Sequence, residues 1–314
     1  MVPTGCPSRF CFRVGGLRMD TKCGYVAIVG RPNVGKSTLM NSLIGEKLSI
    51  VTPKPQTTRT RVLGVLTEDG VQMIFLDTPG FLQPRGLLQE AMVKEVKEGL
   101  SEADVVLGIV DATALERTFD EELQGLLKAS GRPVVIALNK MDLVAQKEIF
   151  EGLQWLYDRF PAELVPISAL KGHNLDELKK VLAGFLPEGP FLYPPEVLAD
   201  QPERFFVAEL IREELFLNLG QELPYATAVK VEEFKERDPS EGKTYIRATI
   251  YVEKPSQRGI VIGEGGAMLK KIGQWARRKI EAFLGRPVYL ELWVKVRPKW
   301  SRKEGTLREL GYLR

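Results

Sequence analysis

Five short apolar runs between residues 24 and 169 alternate with stretches whose apolar residues have helical spacing. The predicted strands are 24–30, 71–78, 105–112, 133–140 and 163–169, and the predicted helices are 36–45, 88–100, 118–130, 146–159 and 174–184. This alternation favours a mainly parallel sheet, because parallel neighbours need a connection long enough to hold a helix. Residues 61–70 precede the run at 71–78 directly, which predicts one antiparallel edge strand. The sequence therefore predicts a doubly wound α/β domain over residues 24–185.

A proline-rich segment separates this region from the rest of the chain. Residues 186–202 contain five prolines and predict a linker. Beyond it, helical spacing and period-two alternation predict helix, strand, strand, helix and strand at 203–219, 225–234, 243–254, 267–284 and 287–298. That order predicts a small α+β domain with a basic C-terminal tail over residues 203–314. Residues 1–23 have neither a clear period nor the long apolar stretch of a secretory signal, so we expect a disordered extension.

Composition excludes several kinds of chemistry. His173 is the only histidine, which nearly excludes Ser-His-Asp triads and histidine metal clusters, and we assign His173 no role. All three cysteines lie within the first 23 residues, which excludes a zinc or disulfide framework in the main body. Residues 241–314 carry 17 Lys and Arg against 7 Asp and Glu. A basic block of this kind favours a polyanionic partner, although it is also compatible with a solvated basic face.

The segment GRPNVGKST (30–38) lies between a predicted strand and a predicted helix, the context that a phosphate-binding loop requires. Glycines let the backbone wrap a phosphate, Lys36 brings positive charge to the terminal phosphates, and the Ser37 hydroxyl can bind Mg²⁺. The predicted nucleotide-binding residues of this segment are Gly30, Asn33, Val34, Gly35, Lys36, Ser37 and Thr38. This segment predicts a nucleoside triphosphate site.

Two later motifs predict that the base is guanine. In NKMD (139–142), Asp142 can accept two hydrogen bonds from guanine, a pair of donors that adenine does not offer. In SAL (168–170), the Ala169 amide can reach the guanine O6 atom. The predicted guanine-site residues are Asn139, Lys140, Asp142, Ser168, Ala169 and Leu170. An ATPase remains the alternative if the NKMD match is accidental.

Two further segments have the composition of sensors for the terminal phosphate. DTPG (77–80) ends a predicted strand, where Asp77 can hold Mg²⁺ through water and the Gly80 amide can contact the γ-phosphate. The polar segment PKPQTTRTR (53–61) offers Thr57 and Thr58 as Mg²⁺ ligands, of which we favour Thr58. A threonine that binds the metal only when the triphosphate is present would order this loop, as in a nucleotide switch.

These motifs, in this order, resemble those of the translation-factor-related GTPases, and of the Era group in particular, over about residues 24–314. The resemblance implies a Ras-like P-loop GTPase fold, Mg²⁺ as cofactor, and slow hydrolysis of GTP by water with Lys36, Thr58 and Gly80 as catalytic residues. Phe81 replaces the glutamine that orients water in Ras-like enzymes, so glutamine catalysis is excluded. We hypothesise that K⁺ near Asn33 supplies charge to the transition state instead.

The C-terminal segment RGIVIGEGGAMLKKIG (258–273) resembles the GXXG loop of a type II KH domain, a fold that clamps about four nucleotides of single-stranded nucleic acid. The candidate RNA-binding residues are Gly263, Glu264, Gly265, Gly266, Lys270, Lys271, Arg277 and Arg278. Glu264 departs from the basic residue that many such loops carry. We expect Trp293 to pack in the core, whereas Trp300 could either stack on a base or pack.

For function, the resemblance implies a monomeric GTP-controlled protein of the cytoplasm. It would bind single-stranded rRNA near the 3′ end of the small-subunit 16S rRNA and assist maturation of the 30S subunit. Two alternatives stay open: a regulatory GTPase whose KH-like domain binds protein, and a peripheral regulator whose basic tail contacts anionic lipid at the inner face of the membrane.

Overall fold

The computed structural model of the protein describes residues 21–237 and 242–313. Residues 1–20 of the predicted disordered extension lie outside the described residues. The first strand, β1, spans Lys22–Val29. The last residues of the predicted extension, Lys22 and Cys23, therefore belong to a strand, and the Cys23 side chain is buried.

The first sheet has six strands in the order β2-β3-β1-β4-β5-β6. After β1 come β2 (Val62–Glu68), β3 (Val71–Asp77), β4 (Val105–Asp111), β5 (Val134–Asn139) and β6 (Glu163–Pro166). Strand β2 is antiparallel to β3 at one edge, and every other pairing is parallel. The predicted doubly wound sheet with one antiparallel edge strand is confirmed.

Helices cover both faces of this sheet. They are α1 (Lys36–Ile44), α2 (Leu87–Glu102), α3 (Leu115–Thr118), α4 (Glu121–Ala129), α5 (Gln146–Tyr157) and α6 (Leu175–Phe185). Val26 and Ile28 of β1 join one apolar cluster, whereas Ala27 and Val29 join the cluster on the opposite face. Side chains alternate along a strand, so a strand buried on both faces is apolar throughout.

One predicted helix begins three residues later in the structure, after a separate short helix. A single helix is predicted over 118–130, but α3 ends at Thr118 and α4 begins at Glu121. The Asp120 carboxylate accepts a hydrogen bond from the Leu123 amide, 3.0 Å away, and thereby caps the start of α4. Asp120 is also held by Arg31, so the break lies beside the phosphate-binding loop.

The second sheet has the order β7-β8-β9, with β7 antiparallel and β9 parallel to β8. Its elements are α7 (Glu203–Asn218), β7 (Ala228–Lys235), β8 (Thr244–Val252), α8 (Pro255–Ile262), α9 (Ala267–Leu284), β9 (Val288–Val296) and α10 (Glu304–Glu309). The predicted small α+β fold is confirmed, with α8 and α10 as additional helices. Helices α7 and α9 pack on one face of this sheet through buried residues such as Ile211, Ile250 and Ile280.

The predicted linker has no helix or strand, but it is fastened to the first sheet. The Val65 amide donates to the Leu198 carbonyl at 2.8 Å, and the Cys23 amide donates to the Pro187 carbonyl at 3.1 Å. The Gln72 side chain, buried in the sheet, donates to the Tyr193 carbonyl at 2.8 Å. Residues 186–202 therefore pass the amino-terminal ends of β1 and β3 and reach the edge strand β2.

The C-terminal tail packs between the second sheet and α2. Trp300, Leu307 and Tyr312 form a small buried cluster with Ala228 and Tyr251 of the second sheet. The first two residues of α2 pack against the same cluster. The tail thus connects the second sheet with the helix that follows the DTPG motif. Among the described residues, no helix is long and apolar enough to cross a membrane.

Candidate nucleotide and nucleic-acid sites

The predicted phosphate-binding loop lines a cleft of about 380 Å³ at the carboxyl ends of β1 and β3. Parallel α/β sheets bind ligands at this edge, where the strand order reverses. The cleft brings together predicted residues from four separate motifs, namely Asn33, Gly35, Lys36, Ser37, Thr38, Thr58, Gly80 and Lys140. Residues more than a hundred positions apart in the chain therefore share one site.

Two glycines of the loop are required by close backbone packing. Gly35 has a φ of +103°, and a Cβ atom there would lie 2.3 Å from the side-chain amide nitrogen of Asn139. A Cβ atom at Gly30 would lie 2.5 Å from the carbonyl oxygen of Ile109. The absence of side chains lets the loop pass close to β4 and β5, and α1 begins directly after Gly35. The first amides of α1 are suited to binding an anion.

Lys36 is buried at the base of the cleft. Its ammonium group donates to the carbonyl oxygens of Gly30 at 3.1 Å and Arg31 at 2.9 Å. Burial lowers the pKa of Lys36 to about 8, although the nearby Asp77 carboxylate opposes this change. Binding of an anionic phosphate would favour the charged form of this lysine.

A cluster of oxygen atoms lies beside Lys36 and fits a hard cation. The Ser37 hydroxyl donates to Asp77 Oδ2 at 2.7 Å and lies 2.9 Å from the Thr58 hydroxyl oxygen. Burial raises the pKa of Asp77, while hydrogen bonds from Ser37 and Ser49 oppose this shift. Asp77 Oδ1 is buried without a hydrogen-bond partner among the described residues. Hydroxyl and carboxylate oxygens are ligands that Mg²⁺ prefers.

Ser49 belongs to this cluster but was not predicted from the sequence. Its hydroxyl donates to Asp77 Oδ2 at 2.8 Å, and its side chain is buried. Ser49 lies outside all the recognised motifs, so no local pattern in the sequence marks it. Its position is fixed by Asn41, whose side-chain oxygen accepts from the Ser49 amide at 2.8 Å.

The predicted guanine-site residues also meet at one place. The Asn139 side chain donates to the Val34 carbonyl at 2.8 Å and accepts from the Ala169 amide at 2.9 Å. It therefore connects the phosphate-binding loop with the SAL motif. The Ser168 hydroxyl donates to Asp142 Oδ1 at 2.6 Å, which orients the carboxylate that we expect to bind guanine.

Three neighbouring residues complete this corner. Lys140 pairs at 2.5 Å with Asp111, a residue at the end of β4 that was not predicted as part of the site. His173 takes part through its backbone, which pairs with that of Ser168. The Leu170 side chain is exposed.

Phe81 points away from the reaction cleft. Its partly buried ring packs against the apolar cluster that contains Ala27 and Val29 of β1, and the Arg31 guanidinium lies 5.0 Å from the ring centroid. Arg31 is itself bonded to Asp120 and to the Phe81 carbonyl. Neither side chain is therefore free to orient water or to act as a mobile arginine.

The loop between α1 and β2, residues 45–61, is here called the switch loop, and it contacts the second domain. Arg59 is buried, and its guanidinium donates to the carbonyls of Thr227 at 2.7 Å, Pro224 at 3.2 Å and Tyr225 at 3.2 Å. The guanidinium also lies within 6 Å of three aromatic rings. The rings belong to Phe216, Trp300 and Tyr312.

Two lysines of the same loop add to this contact. Lys54 donates to the carbonyls of Phe216 and Leu219 at the end of α7. Lys47 pairs at 2.7 Å with Glu213, whose side chain is buried. Hydrogen bonds from Lys279 and Lys47 lower the pKa of Glu213, against the opposing effect of its burial. No sequence pattern indicates these long-range contacts.

The predicted GXXG loop has the backbone geometry that glycine permits. Gly263, Gly265 and Gly266 have φ values of +74°, +55° and +81°. A Cβ atom at Gly263 would lie 2.7 Å from that of Met268, so a larger residue would displace the start of α9. Glu264 is exposed within this loop.

The basic residues that follow the loop divide between two sides of α9. Lys270 and Arg277 line a groove of about 430 Å³ together with Gln274 of α9 and Leu290 and Leu292 of β9. We call this surface the KH groove. The other two predicted cations are not part of its lining. By helical spacing, Lys271 and Arg278 lie with Trp275, and Arg278 is 5.1 Å from the Trp275 ring centroid.

The two tryptophans near the end of the chain differ in their burial. Trp293 does not pack in the core, since 52% of its surface is exposed, so that prediction was wrong. Trp300 is fully buried and its indole N–H donates to the Ala226 carbonyl at 2.9 Å, which supports packing and excludes base stacking. Strand alternation explains Trp293, because its odd-numbered neighbours Glu291 and Lys295 point to the same side.

Comparison with known protein families gives two matches. The family described as a 50S ribosome-binding GTPase matches residues 25–140, and the KH domain family matches residues 222–301. Curated relatives include the GTPase Era of Halothermothrix orenii, 45% identical over 94% of this chain and 99% of its own length. The GTPase Era of Geobacter metallireducens is 46% identical over 93% of this chain and 98% of its own length.

Two solved structures resemble the chain over both of its domains. One is an alanine-substituted Era of Aquifex aeolicus bound to GDP·AlF₄⁻. The other is an Era in complex with MgGDPNP and nucleotides 1506–1542 of 16S ribosomal RNA. Each has a TM-score of 0.90 and 45% sequence identity, and the match covers 94% of this chain and 100% of the other.

Proposed function

The chain belongs to the Era family of GTPases, and on that premise we propose that it is a GTP-controlled switch that binds single-stranded rRNA. The proposed target is the 3′ end of 16S rRNA, and the proposed role is to assist maturation of the 30S subunit. Support comes from a relative whose structure contains MgGDPNP and a fragment of that rRNA.

One observation carries the proposal that the nucleotide controls the RNA domain. Thr58 and Arg59 are adjacent in the switch loop, yet Thr58 contacts Ser37 of the phosphate site while Arg59 is buried against the second domain. A change in the position of Thr58 would therefore be transmitted to the RNA domain through one peptide bond. Loops that order around the γ-phosphate are the usual source of such control.

The residues of the cleft support hydrolysis by direct attack of water on the γ-phosphate. Ser37 and Thr58 would hold Mg²⁺ through their hydroxyl groups, and Asp77 would do so through water, and the ion would neutralise phosphate charge. Lys36 would supply a positive charge to the terminal phosphates, and the amide of Gly80, which lines the cleft, would contact the γ-phosphate. Position 81 carries phenylalanine instead of the glutamine that orients water in Ras-like enzymes, and its ring packs against the core. We therefore expect a low intrinsic rate of GTP hydrolysis.

A bound K⁺ would add charge to this site. Asn33 lines the cleft, and its side-chain amide donates to the Pro53 carbonyl of the switch loop at 3.1 Å. We expect K⁺ beside Asn33 to stabilise charge that develops in the transition state. Faster GTP hydrolysis in K⁺ than in Na⁺ supports this role, and equal rates contradict it.

RNA binding is proposed for the KH groove. The glycine loop permits close approach of a nucleic-acid backbone, and Lys270 and Arg277 place positive charge beside the apolar floor formed by Leu290 and Leu292. We expect Lys271 and Arg278, on the other side of α9, to contribute less. Phosphate contacts of this kind predict affinity that falls steeply with added salt.

The experiment that tests this function recovers RNA crosslinked to the full-length protein in a cell lysate. The protein is loaded either with a non-hydrolysable GTP analogue or with GDP, and a Lys270→Glu, Arg277→Glu variant is the matched control. We expect the 3′ end of 16S rRNA to be enriched with the GTP analogue and lost in the control. Recovery of a protein partner without RNA contradicts the proposal and favours the protein-binding alternative. Binding of the protein to anionic vesicles but not to RNA contradicts it too, and favours the membrane alternative.

A further inference from the structure

The backbone at Lys140, in the NKMD motif, is fixed independently of its side chain. Its φ of +68° lies in the left-handed region, which is uncommon for a residue with a Cβ atom. The Met141 amide donates to the Ile167 carbonyl at 3.1 Å, and the Leu143 amide donates to the carbonyl of Lys140 itself at 2.9 Å. Lys140 therefore lines the nucleotide cleft from a rigid turn, and only a further contact can fix the direction of its long side chain.

Asp111 makes that contact. The Lys140 ammonium lies 2.5 Å from Asp111 Oδ2, and within the described residues it has no other ion-pair partner. The Asp111 side chain is 8% exposed and that of Lys140 is 30% exposed. Asp111 ends β4 and is paired with Asn139, the last residue of the neighbouring parallel strand β5. Lys140 follows Asn139 directly, so the register of the two strands brings the carboxylate and the ammonium together.

The Asp111 carboxylate is itself held in one position. Its Oδ1 atom accepts from the Thr113 amide at 2.9 Å and from the Thr113 hydroxyl at 2.7 Å. The Asp111 amide donates to the Thr118 hydroxyl oxygen at 3.1 Å. Oδ1 is thus engaged by the segment that follows β4, whereas Oδ2 is left for Lys140. Because this anchor is in place before a nucleotide arrives, binding does not have to order the lysine side chain.

A lysine that is held at its ammonium end presents its methylene groups as an apolar surface. Lys140 lies in the chain between Asn139 and Asp142, two residues that we expect in the guanine site, and it lines the cleft. We expect Asp142 to bind the edge of the base through hydrogen bonds. The methylene groups of Lys140 suit the other kind of contact, with the apolar face of the ring.

The Asp111 carboxylate also caps the short turn Ala112–Ala114, and this second role uses Oδ1 alone. Asparagine at position 111 would keep Oδ1 as an acceptor and would replace Oδ2 by an amide group, which is a donor. An amide donor cannot pair with an ammonium group. The substitution Asp111→Asn therefore removes the contact with Lys140 and leaves the cap of the turn intact.

We propose that Asp111 is a positioning residue of the guanine-nucleotide site, which anchors the Lys140 ammonium so that the lysine methylene groups contact the face of the base. This inference rests on the proposed role of Lys140 in nucleotide binding. Asp111 acts through Lys140, so it sets the affinity for the nucleotide and leaves the chemical step unchanged. Loss of the anchor predicts release of the nucleotide about 3- to 30-fold faster.

The test measures the release of a fluorescent GDP analogue from the full-length protein with Mg²⁺, by stopped flow. The variants are Asp111→Asn, Lys140→Ala and the double variant. The matched control is Glu68→Gln, because Glu68 forms an ion pair of 2.8 Å with Lys179 outside the cleft. We expect both single variants to release the analogue faster, and the double variant to be no faster than Lys140→Ala. The control should release it as the wild type does.

Two further readouts distinguish positioning from a merely structural role. In Asp111→Asn, KM for GTP should rise while kcat stays within about 2-fold of the wild-type value. The affinities for GDP and for inosine diphosphate should fall by the same factor, because a contact with the ring face does not depend on the exocyclic amine that inosine lacks. A disturbance of Asp142 would instead weaken GDP binding more than binding of the inosine nucleotide.

The outcomes separate this inference from the function on which it rests. If the wild-type protein binds no guanine nucleotide, the proposed nucleotide function fails. If Lys140→Ala speeds release and Asp111→Asn does not, only the role of Asp111 is refuted. If neither variant changes release, the placement of Lys140 in the site fails, and the inference fails with it. Additive effects in the double variant, or a loss confined to GDP, would also overturn the inference, since Asp111 would then not act through Lys140.

Discussion

Replacing Arg59 by alanine should release the switch loop from the second domain. The substitution removes a buried guanidinium that donates to three backbone carbonyls, at 2.7, 3.2 and 3.2 Å. A buried carbonyl left without a donor costs about 1–3 kcal/mol. This cost applies to Thr227 and Tyr225, because the Pro224 carbonyl still accepts from the Thr227 hydroxyl. Allowing for water entering part of the site, we expect the free energy of unfolding to fall by about 3–5 kcal/mol.

A nearby arginine provides the matched control. Arg61 lies two residues further along the chain, and its guanidinium pairs at 2.7 Å with Glu102. The Arg61 side chain is 9% exposed and that of Glu102 is 47% exposed. A partly exposed pair of this kind contributes about 0–1 kcal/mol. Arg61→Ala should therefore have a much smaller effect than Arg59→Ala, and Arg59→Lys should be intermediate because an ammonium lacks the planar fork of donors.

The assays are urea unfolding and hydrogen exchange measured by mass spectrometry. We expect Arg59→Ala to increase amide exchange both in the switch loop and in residues 213–227, the two sides of the contact. Arg61→Ala should leave residues 213–227 protected. If the two variants lose the same stability, and exchange in residues 213–227 is unchanged by Arg59→Ala, the reasoning about this contact is refuted.

Three further predictions concern the nucleotide cleft. Burial lowers the pKa of Lys36 to about 8, and a bound phosphate favours the charged form of this lysine. GDP binding at pH 8 should therefore take up about half a proton, which calorimetry in two buffers measures. The absence of proton uptake would contradict this prediction. Ser49→Ala removes a hydrogen bond that stabilises the Asp77 carboxylate. The affinity of the variant for Mg²⁺, measured by titration, should be about 2- to 10-fold weaker than that of the wild type. Equal Mg²⁺ affinity would exclude a role of Ser49 in the metal site. Phe81→Gln should leave the GTPase rate within about 2-fold of the wild type, because this position faces Arg31 and the core; a large increase would contradict that geometry.

The nucleotide site could be predicted from sequence because its parts are local motifs on a regular sheet. Each motif follows a strand that could be recognised from its apolar run, and the strands bring Lys36, Asp77 and Asn139 to one edge. Ser49 and Asp111 were missed for a physical reason. Both act through contacts between distant segments, and neither lies in a recurring pattern.

The second domain shows where local patterns mislead. Size and apolar character predict a core position for Trp293, although strand alternation with Glu291 and Lys295 indicates the exposed side chain that the structure has. Trp300 lies outside any strand, so its burial against Ala226 and Tyr312 depends on long-range packing that has no periodic signal. The burial of Arg59 is of the same long-range kind.

The central claim is that the bound nucleotide controls RNA binding through the Thr58–Arg59 connection. The most direct measurement is the Kd of the full-length protein for a ten-nucleotide RNA from the 3′ end of 16S rRNA. It is measured with a GTP analogue and with GDP, in the wild type and in Arg59→Lys. If the nucleotide and RNA sites are coupled as strongly as is usual in allosteric proteins, the wild type should bind the RNA about 5- to 150-fold more tightly with the GTP analogue than with GDP. The Arg59→Lys variant should reduce this ratio of affinities. Equal affinity in the two nucleotide states of the wild-type protein would contradict the claim.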